Sequence, residues 1–68
     1  MYATKLKIRR VELGKKQKDV AAEAGITQQY LMNLENGKSK NPSISVMTRL
    51  SKVLDSTPND LFFDDFSM

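Results

Sequence analysis

Sixty-eight residues are enough for one domain, residues 1–68, with a small core, so marginal stability or self-association is expected. The chain has no Cys and no His, which removes disulfides, thiolate metal sites and the commonest general base. With no paired acids in a plausible cleft either, an enzyme is disfavoured, and no catalytic residue, cofactor or metal is expected.

No apolar run exceeds three residues, so the sequence predicts neither a membrane span nor a signal peptide, and the expected location is cytoplasmic. The net charge of +3 hides a polarity along the chain. Residues 1–52 carry all eleven Lys and Arg against four acids, Glu12, Asp19, Glu23 and Glu35, a balance of +7. Residues 53–68 carry no base and four acids, Asp55, Asp60, Asp64 and Asp65, a balance of −4. A basic body favours polyanions and steers association with them, and the acidic end should point away. By itself, a Lys-rich surface is also what keeps many small proteins in solution.

The first predicted helix covers Thr4 to Leu13, with Thr4 as its N-cap and Gly14 near its end. Leu6, Arg10 and Leu13 fall on its inner face. An Arg between two leucines needs a carboxylate if it is buried. Glu35 is the best-placed candidate, as a bidentate pair bracing the first helix against the third. Lys15 and Lys16 lead into the second helix, Gln17 to Ala24, which presents Val20, Ala21 and Ala24 on one face. Gly25 sits where a helix ends in left-handed backbone. Ile26 follows, and Thr27 caps a third helix whose inner face carries Leu31 and Leu34. Ala21 is small enough for two helices to cross steeply at close range.

Gln17 to Glu35 therefore reads as a helix-turn-helix, the unit that places its second helix in the major groove of DNA. Any amphipathic helix pair would bury Val20, Leu31 and Leu34. The distinguishing point is that Gln17, Val20, Ala21, Ala24, Gly25, Ile26, Leu31 and Leu34 fit one template without a gap. What remains outside is Gln28, Gln29, Met32, Asn33 and Asn36, with positions 29, 32, 33 and 36 along one stripe. An ordinary solvated face mixes Glu and Lys, whereas this one holds amides and a Met but no acid. Amide side chains can read base edges through paired donor and acceptor bonds.

The segment Asn36 to Ser43 is a loop by its Gly, Asn, Ser and Pro. Lys38 and Lys40, directly after the presumed recognition helix, read as a phosphate clamp rather than a plain solvated connector. The fourth helix runs from Ser43 to Leu54, with Ile44, Met47, Leu50, Val53 and Leu54 as an inward stripe. Asp55 and Ser56 break it. A fifth helix restarts with Thr57 as N-cap, Pro58 at the first position and Asp60 near the positive dipole end. Leu61, Phe62 and Phe63 follow, and residues 64–68 are expected to fray. The fold class is all-α, a compact bundle of five short helices. Phe62, Phe63 and Phe66 cannot all face one inner groove, so some are expected to be exposed or to meet a partner, and Tyr2 or Val46 could join that surface.

The chain resembles the phage repressor and Cro type of helix-turn-helix domains, the XRE family, over about residues 4 to 63. The carriers are Arg10, Gly14, Gln17, Val20-Ala21, Ala24-Gly25-Ile26, Gln28-Gln29, Leu31, Leu34-Glu35-Asn36-Gly37-Lys38, Pro42-Ser43 and Leu61-Phe62. The run TQQYLMNLENGKSKNP is especially similar to the recognition helix and following loop of a lambdoid phage repressor. The resemblance implies a lambda-repressor-like bundle in a bacterial or phage-encoded protein. It implies that Gln28, Gln29, Asn33 and the intervening Met32 face base edges. Gln17 would touch a phosphate and brace the recognition helix, with Tyr30, Asn36, Lys38, Lys40 and Asn41 also on the DNA backbone. Arg10 and Glu35 would form the family's internal ion pair.

Lys15 departs from the family's usual apolar residue, Lys16 from its Ser or Thr cap, Arg9 from an aliphatic and Asp55 from the Gly that ends the fourth helix. These four weaken the expected packing. Tyr30 and Met32 are atypical of the phage repressors, so the operator sequence does not carry over.

The resulting expectation is a transcription regulator, specifically a repressor that binds double-stranded DNA at a palindromic operator as a homodimer. Two linked half-sites supply the affinity that one domain lacks. Phe62, Phe63 and Phe66 are the expected dimer contact. The alternative is an antitoxin that binds both its promoter and a toxin protein, with the acidic, aromatic C-terminus as the partner surface. A toxin-like reading frame beside the gene would favour the antitoxin, and divergent promoters the free regulator.

Overall fold

The computed structural model describes residues 4–39 and 42–63. These form α1 (Lys5–Glu12), α2 (Gln17–Ala24), α3 (Gln28–Glu35), α4 (Ile44–Val53) and α5 (Pro58–Phe62), with no strand among the described residues. Hydroxyl groups set most of the helix starts. Thr4, Thr27, Ser43 and Thr57 stand in extended backbone, and each accepts a backbone N–H from the first turn, of Lys7, Tyr30, Val46 and Asp60 respectively. α2 is the exception, because its N-cap residue Lys16 makes no side-chain capping bond.

Local backbone chemistry also sets the ends. α2 stops at Gly25 (φ +73°), where the N–H groups of Gly25 and Ile26 return to the carbonyls of Ala22 and Ala21. Gly suits this position because its backbone is left-handed; an added Cβ would also lie 3.0 Å from Nη1 of Arg49, the tip of an exposed and flexible side chain that can move aside. α4 ends in the same pattern, with Asp55 N–H bonded to Lys52 and Ser56 N–H to Ser51. Here Asp55 takes the left-handed position at φ +51°, the one non-Gly residue to do so among the described residues.

Arg9 offsets that strain. Its Nε donates to the Leu54 carbonyl at 3.0 Å and its Nη2 to the Asp55 carbonyl at 3.1 Å. The guanidinium thus caps α4 from α1, so this Arg ties the bundle together where the sequence pointed to weakened packing. Asp55→Gly is expected to raise stability by about 0.5–1 kcal/mol, because it removes left-handed strain and keeps both carbonyls that Arg9 holds. Urea melts of the two proteins check this, and a lower midpoint for the variant would show that the Asp55 side chain contributes more than its backbone strain costs.

Leu6, Val20, Ala21, Ala24, Leu31, Leu34, Val46, Leu50, Leu54 and Leu61 form one buried cluster, with Ile26, Tyr30, Val53 and Phe62 packed against it. Two expected inner positions are displaced. Leu13 is 37% exposed because it follows the last residue of α1 as its C-cap. Ile44, expected to lead the inward stripe of α4, is 77% exposed. The buried row is instead Val46, Leu50 and Leu54, spaced by four, with Ser51 beside it. Ser51 can be buried because its hydroxyl donates to the Met47 carbonyl at 2.7 Å. Val46 is accordingly a core residue and offers no dimer surface.

Candidate nucleic-acid interface

The second helix of the motif is fixed from beneath by small residues. Ala21 and Ala24 are buried, which lets α2 pack closely against both α3 and α4. α3 is then pinned at each end. At its start, Thr27 Oγ1 accepts the Tyr30 N–H at 3.0 Å. At its end, Gly37 N–H returns to Leu34, and the N–H groups of Lys38 and Ser39 both bond the Asn33 carbonyl, at 2.9 and 3.2 Å. This closing motif fastens the first basic residue of the loop to the helix it follows.

Between these ends, Gln28, Gln29 and Asn36 are exposed, and Met32 and Asn33 are half-buried. Gln29 Nε2 donates to Asn33 Oδ1 at 3.2 Å, so two amides one turn apart are held in a fixed relation. Tyr30 is half-buried with its side chain against the core. Lys38 is exposed beyond the helix end. Lys40 and Asn41, assigned to the DNA backbone, lie outside the described residues, as do Tyr2 and Phe66.

Behind the exposed face lies a buried carboxylate with a full set of donors. Glu35 is 2% exposed. Arg10 Nε donates to its Oε2 at 2.6 Å, and Arg10 Nη2 and Gln17 Nε2 donate to its Oε1 at 3.0 and 3.1 Å. Arg10 uses Nη1 on the Lys15 carbonyl at 2.9 Å, which also fixes the connection into α2. Gln17 Oε1 in turn accepts from Gln28 Nε2 at 3.4 Å. α1, α2 and α3 are therefore joined through one carboxylate, and among the described residues no buried side-chain polar atom is left without a partner. Lys15 Nζ stands 3.9 Å from Glu23, an exposed pair of little energetic weight.

Two positions gained a role that the sequence had not given them. Arg9 caps α4, and Arg49 lies over the turn at Gly25. Among the described residues, no group of three His, Cys, Asp or Glu could hold a metal ion, and no helix is long and apolar enough to cross a membrane.

Comparison with known proteins agrees with this geometry. Residues 6–61 match the sequence model of the helix-turn-helix family. The chain superposes on a chain of the SinR protein/SinI protein complex with a TM-score of 0.82 and 31% identity, over 90% of this chain and 59% of that one. It superposes on the N-terminal DNA-binding domain of SinR from Bacillus subtilis with a TM-score of 0.79 and 30% identity, over 93% and 90%. A hypothetical transcription factor, NHTF from Neisseria, shares the fold at a TM-score of 0.77 and 20% identity, over 90% and 69%. The chain thus spans 59% of the chain matched in the SinR/SinI complex but most of the isolated DNA-binding domain. With α3 capped at both ends, packed closely across α2, and residues 6–61 matching the family's sequence model, the chain belongs to the XRE-type helix-turn-helix family of DNA-binding regulator domains.

Proposed function

We propose that this domain is a repressor that binds a palindromic operator as a homodimer, with α3 of each copy in the major groove. Gln28, Gln29, Met32 and Asn33 read base edges. Gln17, Tyr30, Asn36 and Lys38 hold the DNA backbone, joined by Lys40 and Asn41. The observation that carries this reading is an acid-free amide face, exposed at Gln28, Gln29 and Asn36 and half-buried at Met32 and Asn33, on a helix tied down at both ends. Amides in fixed positions can match the donor–acceptor pattern of the major groove, and adenine in particular accepts a bidentate amide.

Selection of bound sites from random DNA tests the whole reading. It is expected to enrich an inverted repeat whose half-sites lie about one helical turn apart, and enrichment of no sequence would overturn it. The phosphate contact is tested on its own. Lys38→Ala is expected to weaken all sequences about equally and to reduce the slope of log affinity against log salt by about one. An unchanged slope would remove Lys38 from the contact set.

A second reading adds a protein partner; the SinR protein, to which this chain is similar, is solved in complex with another protein, SinI. In that reading the domain is an antitoxin that binds a toxin protein as well as DNA, using the acidic C-terminal end and the half-exposed Phe63. Co-expression with the product of an adjacent small reading frame, followed by copurification, distinguishes the two.

A further inference from the structure

Glu35 is too deeply buried to touch DNA, yet it sits at the root of a chain of bonds that ends on the exposed face. The direction of that chain follows from chemistry. An ionised carboxylate only accepts hydrogen bonds, and both Glu35 oxygens already face donors from Arg10. Gln17 must therefore turn its NH2 group toward Glu35. Its carbonyl oxygen is then fixed on the opposite side, where it faces Gln28. Gln28 can meet an oxygen only by donating, so its own NH2 is drawn toward Gln17 and its carbonyl oxygen is turned away.

We propose that Glu35, acting through Gln17, sets the donor–acceptor sense of the Gln28 amide and so fixes which base edge Gln28 accepts. Glu35 and Gln17 are positioning residues in this scheme. The inference rests on the reading of Gln28 as a base contact. The energetic reason is simple. A free Gln amide can present either sense to the groove, and a base pair with the reversed pattern would be met by a simple flip. To flip, an amide held by Gln17 would have to give up that bond and set a donor against a donor or an oxygen against an oxygen; the contact is exposed in the free domain, so the cost falls once DNA covers it and shuts out water. The Arg10–Glu35 pair thereby contributes selectivity as well as stability.

The test compares base preference, measured as ratios of affinity among all four base pairs at each operator position, for wild type, Gln28→Ala, Gln17→Met and Glu35→Gln. Gln17→Met cuts the relay and leaves the buried ion pair in place. Gln17→Met and Glu35→Gln should both lose most of the roughly 5- to 140-fold discrimination of one bidentate contact, at the position that Gln28→Ala also affects. Preferences at positions served by Gln29 and Asn33 should persist. The Gln17 side-chain NH2 resonances should move in Glu35→Gln, reporting loss of the charged acceptor. A uniform fall in affinity with every ratio preserved in Gln17→Met would overturn the proposal, because a purely structural or phosphate-binding role gives that result. If Gln28→Ala itself preserves every ratio, the assignment of Gln28 as a reader fails instead. If Glu35→Gln does not fold, Gln17→Met decides alone.

Discussion

Glu35→Ala is expected to unfold much of the population at room temperature. The variant leaves the Arg10 guanidinium, 13% exposed, without its carboxylate, and also leaves Gln17 without its acceptor. Removing one partner of a buried pair costs about 3–5 kcal/mol, since the remaining charge keeps its desolvation penalty and loses its attraction. A domain of this size has only about 3–5 kcal/mol of core stability to lose. Circular dichroism should show the loss of helix, and salt should not restore it, because the Arg10 guanidinium left behind is largely shielded from solvent. A melting midpoint within a few degrees of wild type would show that the interior can rehydrate Arg10 cheaply. Arg10→Met with Glu35→Leu, which removes both charges, is expected to recover much of the stability, as apolar replacements of buried pairs often do.

The second large effect is expected at the C-terminal end. Phe63, just after α5, is 52% exposed, whereas its neighbour Phe62 packs against the core. Phe63→Asp should therefore leave the fold intact and abolish the proposed two-fold contact. Linked half-sites gain about 10²–10⁴-fold in affinity over one, so a full palindrome should be bound that much more weakly while an isolated half-site is bound as before. Sedimentation at matched concentration should show the variant as a monomer. If it sediments like the wild type and still holds a palindrome, the contact lies elsewhere, with Ile8 and Val11 on α1 (46% and 58% exposed) or Ile44 on α4 as the surfaces to change next.

Much of the architecture was legible because it is written in local chemistry. Thr27, Ser43 and Thr57 announce helix starts through their hydroxyls, and Gly25 announces an end through its backbone. The Arg10–Glu35 contact was legible for another reason: a charge between leucines demands a counter-charge, and few were in reach. The phase of α4 was not legible, since apolar spacing counts Ser51 as polar although its hydroxyl bonds its own helix. Arg9 was misread because its partners are backbone carbonyls of Leu54 and Asp55, far away in the chain, which no side-chain pattern reveals. The amide face was readable residue by residue, but the direction in which Gln17 and Gln28 point depends on a three-helix junction that exists only in space.

No helix among the described residues exceeds ten residues. Isolated helices shorter than about 12–15 residues are marginal in water, so α3 has almost no persistence apart from the body that holds it. Its amides should exchange with solvent mainly when the whole domain opens, and the proposed DNA-reading surface then vanishes with everything else. Occupancy of a site is consequently tied to the folded fraction. A weakened contact as remote as Leu61 lowers occupancy without changing which site is preferred. Modest heating should act in the same direction, lowering occupancy of a DNA site through the folded fraction alone.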